Sequence, residues 1–116
     1  MGHVHLHVGD LERTRAFYSE ALGFDRMTWR YPGVLFLGAG GYHHHLGTNL
    51  WAGPHARPAT DDDARLMEWT IEVPTSSDVA AVVASLEGAG YPVTQSSTGD
   101  GTTKDPWGQQ LRVAAQ

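Results

Sequence analysis

Hydrophobic and polar residues alternate strictly in the stretch HVHLHV at residues 3–8. Valine and leucine occupy one set of alternate positions and histidine the other, and a period of two is typical of a β-strand whose two faces meet different surroundings. The stretch EWTIEV at residues 68–73 repeats this pattern, with its apolar residues opposite glutamate and threonine. Each stretch therefore predicts a strand that buries its apolar face against the helix that follows it.

Each predicted strand leads through a short turn into a helical pattern. In the first helix, Asp10 is expected at the N-cap and Gly23 at the C-terminal stop. The expected buried stripe comprises Leu11, Phe17, Tyr18, Ala21 and Leu22. The second helix has apolar residues at the i, i+3, i+4 and i+7 spacing, namely Val79, Val82, Val83 and Leu86. Ser76 or Ser77 is the expected cap of this helix, and Gly88 or Gly90 the expected end.

Three short strand candidates follow each helix, so that the unit βαβββ occurs twice. They are residues 26–31, 33–40 and 42–51 in the first half and residues 92–97, 101–105 and 109–115 in the second. The segment between the halves is rich in proline, alanine and aspartate and is typical of a linker. We expect one α+β domain over residues 1–116, with module one at about 1–52, the linker at about 53–65 and module two at about 66–116.

The composition restricts the partners and the chemistry. The 116 residues suit one domain, 41% of them are apolar, and the net charge is -5 with neutral histidines. No basic run favours nucleic acid, and no apolar run is long enough to cross a bilayer. The N-terminal residues lack the pattern of a secretion signal, so a cytoplasmic location is expected. Because the chain has no cysteine, any metal must be held by imidazole and carboxylate groups.

Several motifs carry a family resemblance. HVHLHVGDL opens the first unit, AFYSEALGF ends the first helix, and DPWG precedes the last strand. Together with the paired βαβββ units, these motifs resemble the vicinal oxygen chelate superfamily, which includes glyoxalase I, extradiol dioxygenases, fosfomycin resistance enzymes and bleomycin-binding proteins. More narrowly, GHVHLHVGDLERTRAFYSEALGF and YPGVLFLGAGGYHHHLGTNLWAG are similar to the C-terminal half of catechol-2,3-dioxygenase-type proteins.

The resemblance implies a specific architecture and a specific chemistry. The expected fold is two βαβββ modules that form a cupped, incomplete mixed β-barrel with the helices outside. In most members the cup holds a divalent metal, and a small-molecule substrate chelates that metal through two adjacent oxygens. Members of this length usually form homodimers, and the bleomycin-binding branch uses the cup without a metal.

The resemblance also assigns candidate metal ligands. His3 matches the first ligand position of the family, and Glu68 is its equivalent in the second module, where the family often has histidine. If Leu46 packs under the helices, alternation places His43, His45, Gly47 and Asn49 in the cup and His44 on the opposite side. His45 then aligns with a family glutamate ligand. The alternatives are that His3 is a polar residue near a frayed terminus and that Glu68 is an ordinary surface glutamate.

The predicted site therefore consists of His3, His45 and Glu68, two imidazoles and one carboxylate. This set suits Fe(II), which we favour, and also Zn, Mn, Ni or Co. Arg112 stands where the family usually has a glutamate ligand, and a guanidinium cannot bind a cation. Arg112 is instead a candidate for binding an anionic group of the substrate, unless it is an ordinary strand arginine.

Further residues are expected around the same cavity. The candidates for a general base or a catalytic contact with the substrate are His5, His43 and Tyr42. The candidates for substrate binding are His7, Trp51 and Arg112. Trp51 shares the parity of His43 and His45, and so it is the best candidate for an aromatic wall.

Three functions are compatible with these residues. The first is a metal-dependent enzyme of the glyoxalase and dioxygenase type, with ring cleavage of a catechol-like diol as the favoured reaction. The alternative is a metal-free small-molecule binding or resistance protein of the bleomycin-binding type, which the replacement at Arg112 favours. The third is a structural remnant, and the density of histidines on one strand face argues against it.

Overall fold

The chain forms two compact units, each built around one four-stranded mixed sheet. The computed structural model describes residues 2–27, 32–53 and 57–116, and the units are Met1–Arg57 and Pro58–Gln116. Their boundary falls inside the predicted linker. Each unit has the order strand, helix and three strands, so the predicted α+β fold of two βαβββ modules is confirmed.

Module one brings its first and last strands side by side. Its strands are β1 (Val4–His7), β2 (Asp25–Arg26), β3 (Val34–Gly38) and β4 (Leu46–Asn49). They lie in the order β1-β4-β3-β2, with β1 parallel to β4 and the other pairs antiparallel. The histidine-bearing stretches at residues 3–8 and 42–51 are therefore neighbours in one sheet.

One predicted strand of module one is only partly described, and another is shorter than expected. The strand predicted at residues 26–31 is described only as far as Met27, because residues 28–31 lie outside the described part of the chain. The strand predicted at residues 42–51 begins only at Leu46. Turns and bends occupy residues 40–45, so the histidine run precedes β4 and is not part of it.

The first helix begins as predicted and then widens. Asp10 accepts a hydrogen bond from the backbone N–H of Arg13 and caps α1 (Leu11–Thr14). The helix continues as a π-helical segment, Arg15–Ala21, where a regular helix was predicted. Phe17 and Tyr18 are adjacent in sequence and both fully buried. Two successive aromatic side chains thus enter the core from one turn, which a strict period of 3.6 does not anticipate.

Module two repeats the arrangement with different capping. Its strands are β5 (Glu68–Val73), β6 (Thr94–Gln95), β7 (Gly101–Lys104) and β8 (Gln110–Ala115), in the order β5-β8-β7-β6. Helix α2 (Ser76–Gly88) is capped by Thr75, so the prediction of a serine cap is wrong. The Thr75 side chain accepts from the N–H of Asp78, whose carboxylate accepts from the N–H of Thr75. This reciprocal box satisfies two N–H groups that the helix leaves unpaired.

Among the described residues, no helix has the length and apolar character needed to cross a membrane.

Candidate functional site

One side of the module-one sheet carries the histidines of β1. The parallel register pairs His5 with Gly47 and His7 with Asn49, and the antiparallel register pairs Phe36 with Gly47. Paired residues point to the same side of a sheet, so these five residues form one surface, here called the histidine face. On the other side, Leu6, Leu37 and Leu46 are buried, which confirms the predicted alternation of β1.

Gly47 allows two rings to lie close to the backbone of β4. A Cβ atom at this position would lie 3.0 Å from Nδ1 of His5 and 3.3 Å from Cε1 of Phe36. Such distances are tighter than ordinary van der Waals contact. The absence of a side chain at Gly47 therefore allows the rings of His5 and Phe36 to pack close to the backbone of β4.

Asn49 links the two histidines of the strand. Its Nδ2 lies 2.6 Å from Nε2 of His5, and its Oδ1 lies 2.8 Å from Nδ1 of His7. Oδ1 also accepts a hydrogen bond of 3.0 Å from the backbone N–H of Trp51. Asn49 is only 1% exposed, so its carboxamide is held in place by partners on both ends.

His44, rather than His45, joins the histidine face. The ring centroid of His44 lies 4.7 Å from that of His3 and 4.7 Å from that of Phe36. The ring of His45 instead lies 4.5 Å from the ring of Tyr42 and 6.2 Å from that of Phe24. The prediction that His45 shares a face with His3 while His44 points away is therefore wrong.

The cause is a bulge at the start of β4. Leu46 is the Cα partner of Leu37, and the N–H of His45 also donates to the carbonyl of Leu37 at 2.8 Å. His45 and Leu46 thus both lie opposite Leu37 of β3. This extra residue reverses the sides on which the side chains before Leu46 point. Gly47 and Asn49 lie after the bulge, and they occupy the face on which they were predicted.

Burial and the neighbouring imidazoles lower the pKa of two histidines in this cluster. Burial, and then the proximity of His3, His43, His5 and His45, lowers the pKa of His44. Burial, and then the proximity of His3 and His7, lowers the pKa of His5. Both shifts favour neutral rings at pH 7, and a neutral imidazole nitrogen binds a proton or a metal through its lone pair.

The other predicted residues of module one lie at the borders of this cluster. Nδ1 of His43 is 3.0 Å from Nδ1 of His44, and the ring of Tyr42 lies 4.2 Å from the ring of His43. The ring of Trp51 lies 5.8 Å from that of His5, and Trp51 is 66% exposed. Trp51 therefore presents an open aromatic surface beside the histidine face.

In module two, the two remaining predicted residues bind each other. Nε of Arg112 donates to Oε1 of Glu68 at 2.9 Å, and Nε2 of Gln110 donates to Oε2 at 2.6 Å. Asp100 adds a carboxylate oxygen 3.6 Å from Nη1 of Arg112. The hydrogen bond from Arg112, and then that from Gln110, lowers the pKa of Glu68. Pairing with Glu68 raises the pKa of Arg112.

A protein-family comparison identifies the fold family. The model described as "Glyoxalase/Bleomycin resistance protein/Dioxygenase superfamily" matches residues 1–113. The chain belongs to this superfamily. Its resemblance to the vicinal oxygen chelate proteins, inferred from the strand, helix and DPWG motifs, is thereby confirmed.

Similar proteins support this membership. The chain is 40% identical over 108 residues to a protein named catechol-2,3-dioxygenase from Bacillus subtilis (strain 168), which covers 91% of this chain and 37% of that protein. The chain thus spans little more than a third of that relative.

Solved structures show the same fold. A glyoxalase/dioxygenase from Nostoc punctiforme matches with a TM-score of 0.76 at 14% identity, over 99% of this chain and 89% of that one. A lactoylglutathione lyase from Agrobacterium tumefaciens matches with a TM-score of 0.70 at 18% identity, over 99% of this chain and 92% of that one.

The histidine face of this superfamily member has the donor chemistry of a divalent metal site. Its imidazoles are nitrogen ligands suited to iron, zinc and nickel, and the lowered pKa of His44 and His5 favours the unprotonated form of those rings. Within residues 2–27, 32–53 and 57–116, no three histidine or carboxylate groups already stand close enough to enclose an ion. Module one thus offers the pair of His3 and His44, and a further ligand is needed to complete a site.

Two features of the face were not assigned a role from the sequence. Asn49 was placed on the correct face, but its bridge between two histidines depends on the register of β1 against β4. His44 was placed on the wrong face because a bulge leaves no clear mark in a run of identical residues. The single carboxamide side chain in the predicted strand YHHHLGTNLW is the signal in the sequence that points to Asn49.

Proposed function

We propose that this chain is a metal-dependent enzyme of the dioxygenase and glyoxalase type. Its proposed substrate is a small molecule with two adjacent oxygens, and a catechol-like diol is favoured. The observation that carries the proposal is the cluster of imidazole rings on the histidine face, where the ring centroids of His3 and His44 lie 4.7 Å apart. The 40% identity to a protein named catechol-2,3-dioxygenase supports the choice of substrate class.

The proposed ligands from module one are His3 and His44. His44 replaces His45 in the set expected from the sequence, because its ring is the one that lies 4.7 Å from the ring of His3. Glu68, the carboxylate ligand expected from the sequence, accepts hydrogen bonds from Arg112 and Gln110 within module two, and these bonds compete with metal binding. When bound, a divalent metal would act as a Lewis acid that favours ionisation of a substrate hydroxyl.

The remaining residues of the face bind and orient the substrate. The exposed ring of Trp51, beside His5, offers a surface for stacking an aromatic ring. An imidazole with an available lone pair accepts the proton that the substrate hydroxyl loses. Tyr42 and His43 lie at the edge of the cluster and are proposed to contact the substrate.

Metal content tests the first part of this proposal. The protein is purified anaerobically without a histidine tag, reconstituted with Fe(II) or Zn(II), and analysed by elemental mass spectrometry. His44→Ala is expected to lose most of the metal, whereas His45→Ala is expected to keep it. Glu68→Gln is expected to lower the metal content if the carboxylate is a ligand. Wild-type protein with less than about a tenth of an equivalent of metal would exclude a metalloenzyme.

Turnover tests the second part. The Fe(II)-reconstituted protein is incubated with catechol and substituted catechols while oxygen consumption and product absorbance are followed. Oxygen consumption that requires both iron and the diol is expected. A metal-loaded protein that turns over no vicinal diol would exclude the proposed substrate class while leaving the metal site in place.

A metal-free binding protein is the second candidate function. It is favoured by the ion pair between Glu68 and Arg112, which occupies the carboxylate of the predicted site. Titration of metal-free protein with aromatic ligands, followed by tryptophan fluorescence, separates the two functions. Tight binding without metal, together with no metal uptake, would support this second function.

The oligomeric state and location belong to the same proposal. A homodimer is expected from the superfamily, and light scattering coupled to size exclusion measures the mass against the 12.6 kDa of one chain. A cytoplasmic location is expected, and fractionation of the source cells tests it.

A further inference from the structure

The carboxamide of Asn49 has only one orientation that satisfies all three of its neighbours. The backbone N–H of Trp51 is only a donor, so the Asn49 atom 3.0 Å from it is the oxygen. The amide nitrogen is then the atom 2.6 Å from Nε2 of His5. Reversing the amide would place two donors against each other at Trp51 in a residue that is 1% exposed.

This orientation fixes the tautomers of the two histidines. The amide nitrogen donates, so Nε2 of His5 accepts and its lone pair is occupied. The amide oxygen accepts, so Nδ1 of His7 carries a proton and donates at 2.8 Å. A neutral imidazole has one N–H and one lone pair, so the lone pair of His7 lies on Nε2.

The two rings differ in whether their lone pair is already occupied. Both side chains are exposed, but the lone pair of His5 on Nε2 accepts from the amide of Asn49, and its Nδ1 carries the proton. Within the described residues, the only side-chain hydrogen bond of His7 is the one that its Nδ1 makes to Asn49. Nε2 of His7 is therefore the nitrogen of this pair whose lone pair is available to a ligand.

We infer that Asn49 is a positioning residue that makes His7, rather than His5, the general base of the histidine face. This inference rests on the proposed function, in which a substrate hydroxyl is ionised. In the proton transfer, the substrate O–H bond breaks, the proton moves to Nε2 of His7, and the electron pair stays on the substrate oxygen. The ring becomes a cation, and its Nδ1–H bond to Asn49 strengthens as the charge develops.

Asn49 therefore has a role similar to that of the group that orients the catalytic base in other enzymes. Such a group holds the imidazole in one tautomer and one ring orientation. The sequence pattern predicts a general base among His5, His43 and Tyr42 and substrate binding by His7. The hydrogen bonds of Asn49 instead favour His7 over His5 as the base.

The tautomers are measurable by NMR without metal or substrate. Protein labelled with 15N at histidine is studied by long-range 1H–15N correlation, with His5→Gln and His7→Gln used to assign the signals. Both rings are expected to carry the proton on Nδ1. An Nε2–H tautomer at His7 in the wild-type protein would overturn the inference.

Variants of Asn49 sharpen the measurement. Asn49→Ala is expected to release His7 to the mixture found in free imidazoles. Asn49→Asp offers only acceptors, so it is expected to keep His7 as the Nδ1–H form and to switch His5 to the Nε2–H form. Thr48→Val is the control, because Thr48 is on the other side of the same strand and donates to the carbonyl of Leu35. If Asn49→Ala fails to fold, the opposite responses of His5 and His7 in Asn49→Asp decide the question.

Kinetics provides the second readout once a turned-over diol is known. His7→Ala is expected to lower kcat by about 10²–10⁴-fold, the usual contribution of a general base. Asn49→Ala is expected to lower kcat with little change in KM, and Asn49→Asp to recover part of the loss. A larger loss in His5→Ala than in His7→Ala would overturn the assignment. Because the tautomers are measured in metal-free protein, failure of the inference is distinguishable from failure of the proposed metalloenzyme function.

Discussion

Nε of Arg112 donates to Oε1 of Glu68 at 2.9 Å across the parallel pair of β8 and β5. Arg112, at the position where the resemblance implies a glutamate ligand, therefore binds Glu68, which the sequence predicts to be a ligand. Because the two side chains are an ion pair within module two, a substitution at either residue changes the charge environment of the other.

Removing the guanidinium should change the acidity of Glu68. In Arg112→Met, the pKa of Glu68 is expected to rise toward its ordinary value of 4.5, because the hydrogen bond from Arg112 is the main cause of its lowering. Gln110 should preserve part of the shift. The pKa is measured by an NMR titration of the glutamate carboxyl carbons. Lys104→Met is the matched control, since it removes one positive charge from the same sheet face. An unchanged pKa of Glu68 in Arg112→Met would contradict the ion pair.

Acid should weaken the first module through its histidines. The pKa values of His44 and His5 in the folded protein are lowered from 6.5, so below pH 6.5 the unfolded chain binds more protons than the folded one. Stability should therefore be full above pH 6.5 and fall as the pH decreases below it. Urea unfolding at pH 7.5 and pH 5.5 measures the difference.

A double variant isolates the histidine contribution. His5→Gln with His44→Gln should flatten the pH dependence over this range, whereas the exposed Ser96→Ala should leave it unchanged. Equal stability of the wild-type protein at the two pH values would rule out lowered pKa values at these histidines.

Gly38 should not tolerate a side chain. A Cβ atom there would lie 2.5 Å from the carbonyl oxygen of Tyr42 and 3.5 Å from Cα of His44. Gly38→Ala is expected to reduce the free energy of unfolding by about 1–3 kcal/mol and to displace the segment that carries His44. Gly88→Ala is the control, because a Cβ atom at Gly88 meets nothing within 4 Å.

The two glycine variants should differ in their effect on the free energy of unfolding. Gly88 lies at the end of α2, where alanine is expected to be neutral or to stabilise by no more than about 1 kcal/mol. Urea denaturation measures both variants. A neutral Gly38→Ala would mean that residues 42–44 do not lie against β3.

The stability of α2 should depend on the side chain of Thr75 and not on that of Ser76. Thr75→Ala removes one half of the reciprocal box with Asp78 and is expected to reduce stability by about 1 kcal/mol. Ser76→Ala changes a residue inside the helix and should have little effect. Thermal unfolding of both variants checks the assignment, and a larger loss from Ser76→Ala would restore the serine cap expected from the sequence.

The sequence predicted what depends on local periodicity. Alternation in residues 3–8 and 68–73 correctly predicted β1 and β5, and Asp10 was recognised as a cap. Features that depend on an inserted residue were not predicted. The π-helical segment after Thr14 and the bulge at His45 each shift the following side chains by one position. Neither feature has a mark in the spacing of apolar residues, which is what a prediction from periodicity uses.

Contacts between strands that are distant in the sequence could not be predicted either. The bridge from Asn49 to His5 and His7 requires the parallel register of β1 and β4. The pairing of Glu68 with Arg112 requires the register of β5 and β8. Residue type and parity placed these side chains on the correct faces, but only register determines which of them touch.

The three consecutive histidines before β4 make the site insensitive to small changes in chain alignment. A one-residue insertion or deletion in this segment exchanges the sides on which successive side chains emerge. With histidine at positions 43, 44 and 45, an imidazole is expected to reach the ring of His3 after such a change, and another to lie beside Phe24. A repeated residue is thus expected to give this loop a tolerance for length changes that a single histidine in a strictly alternating strand lacks.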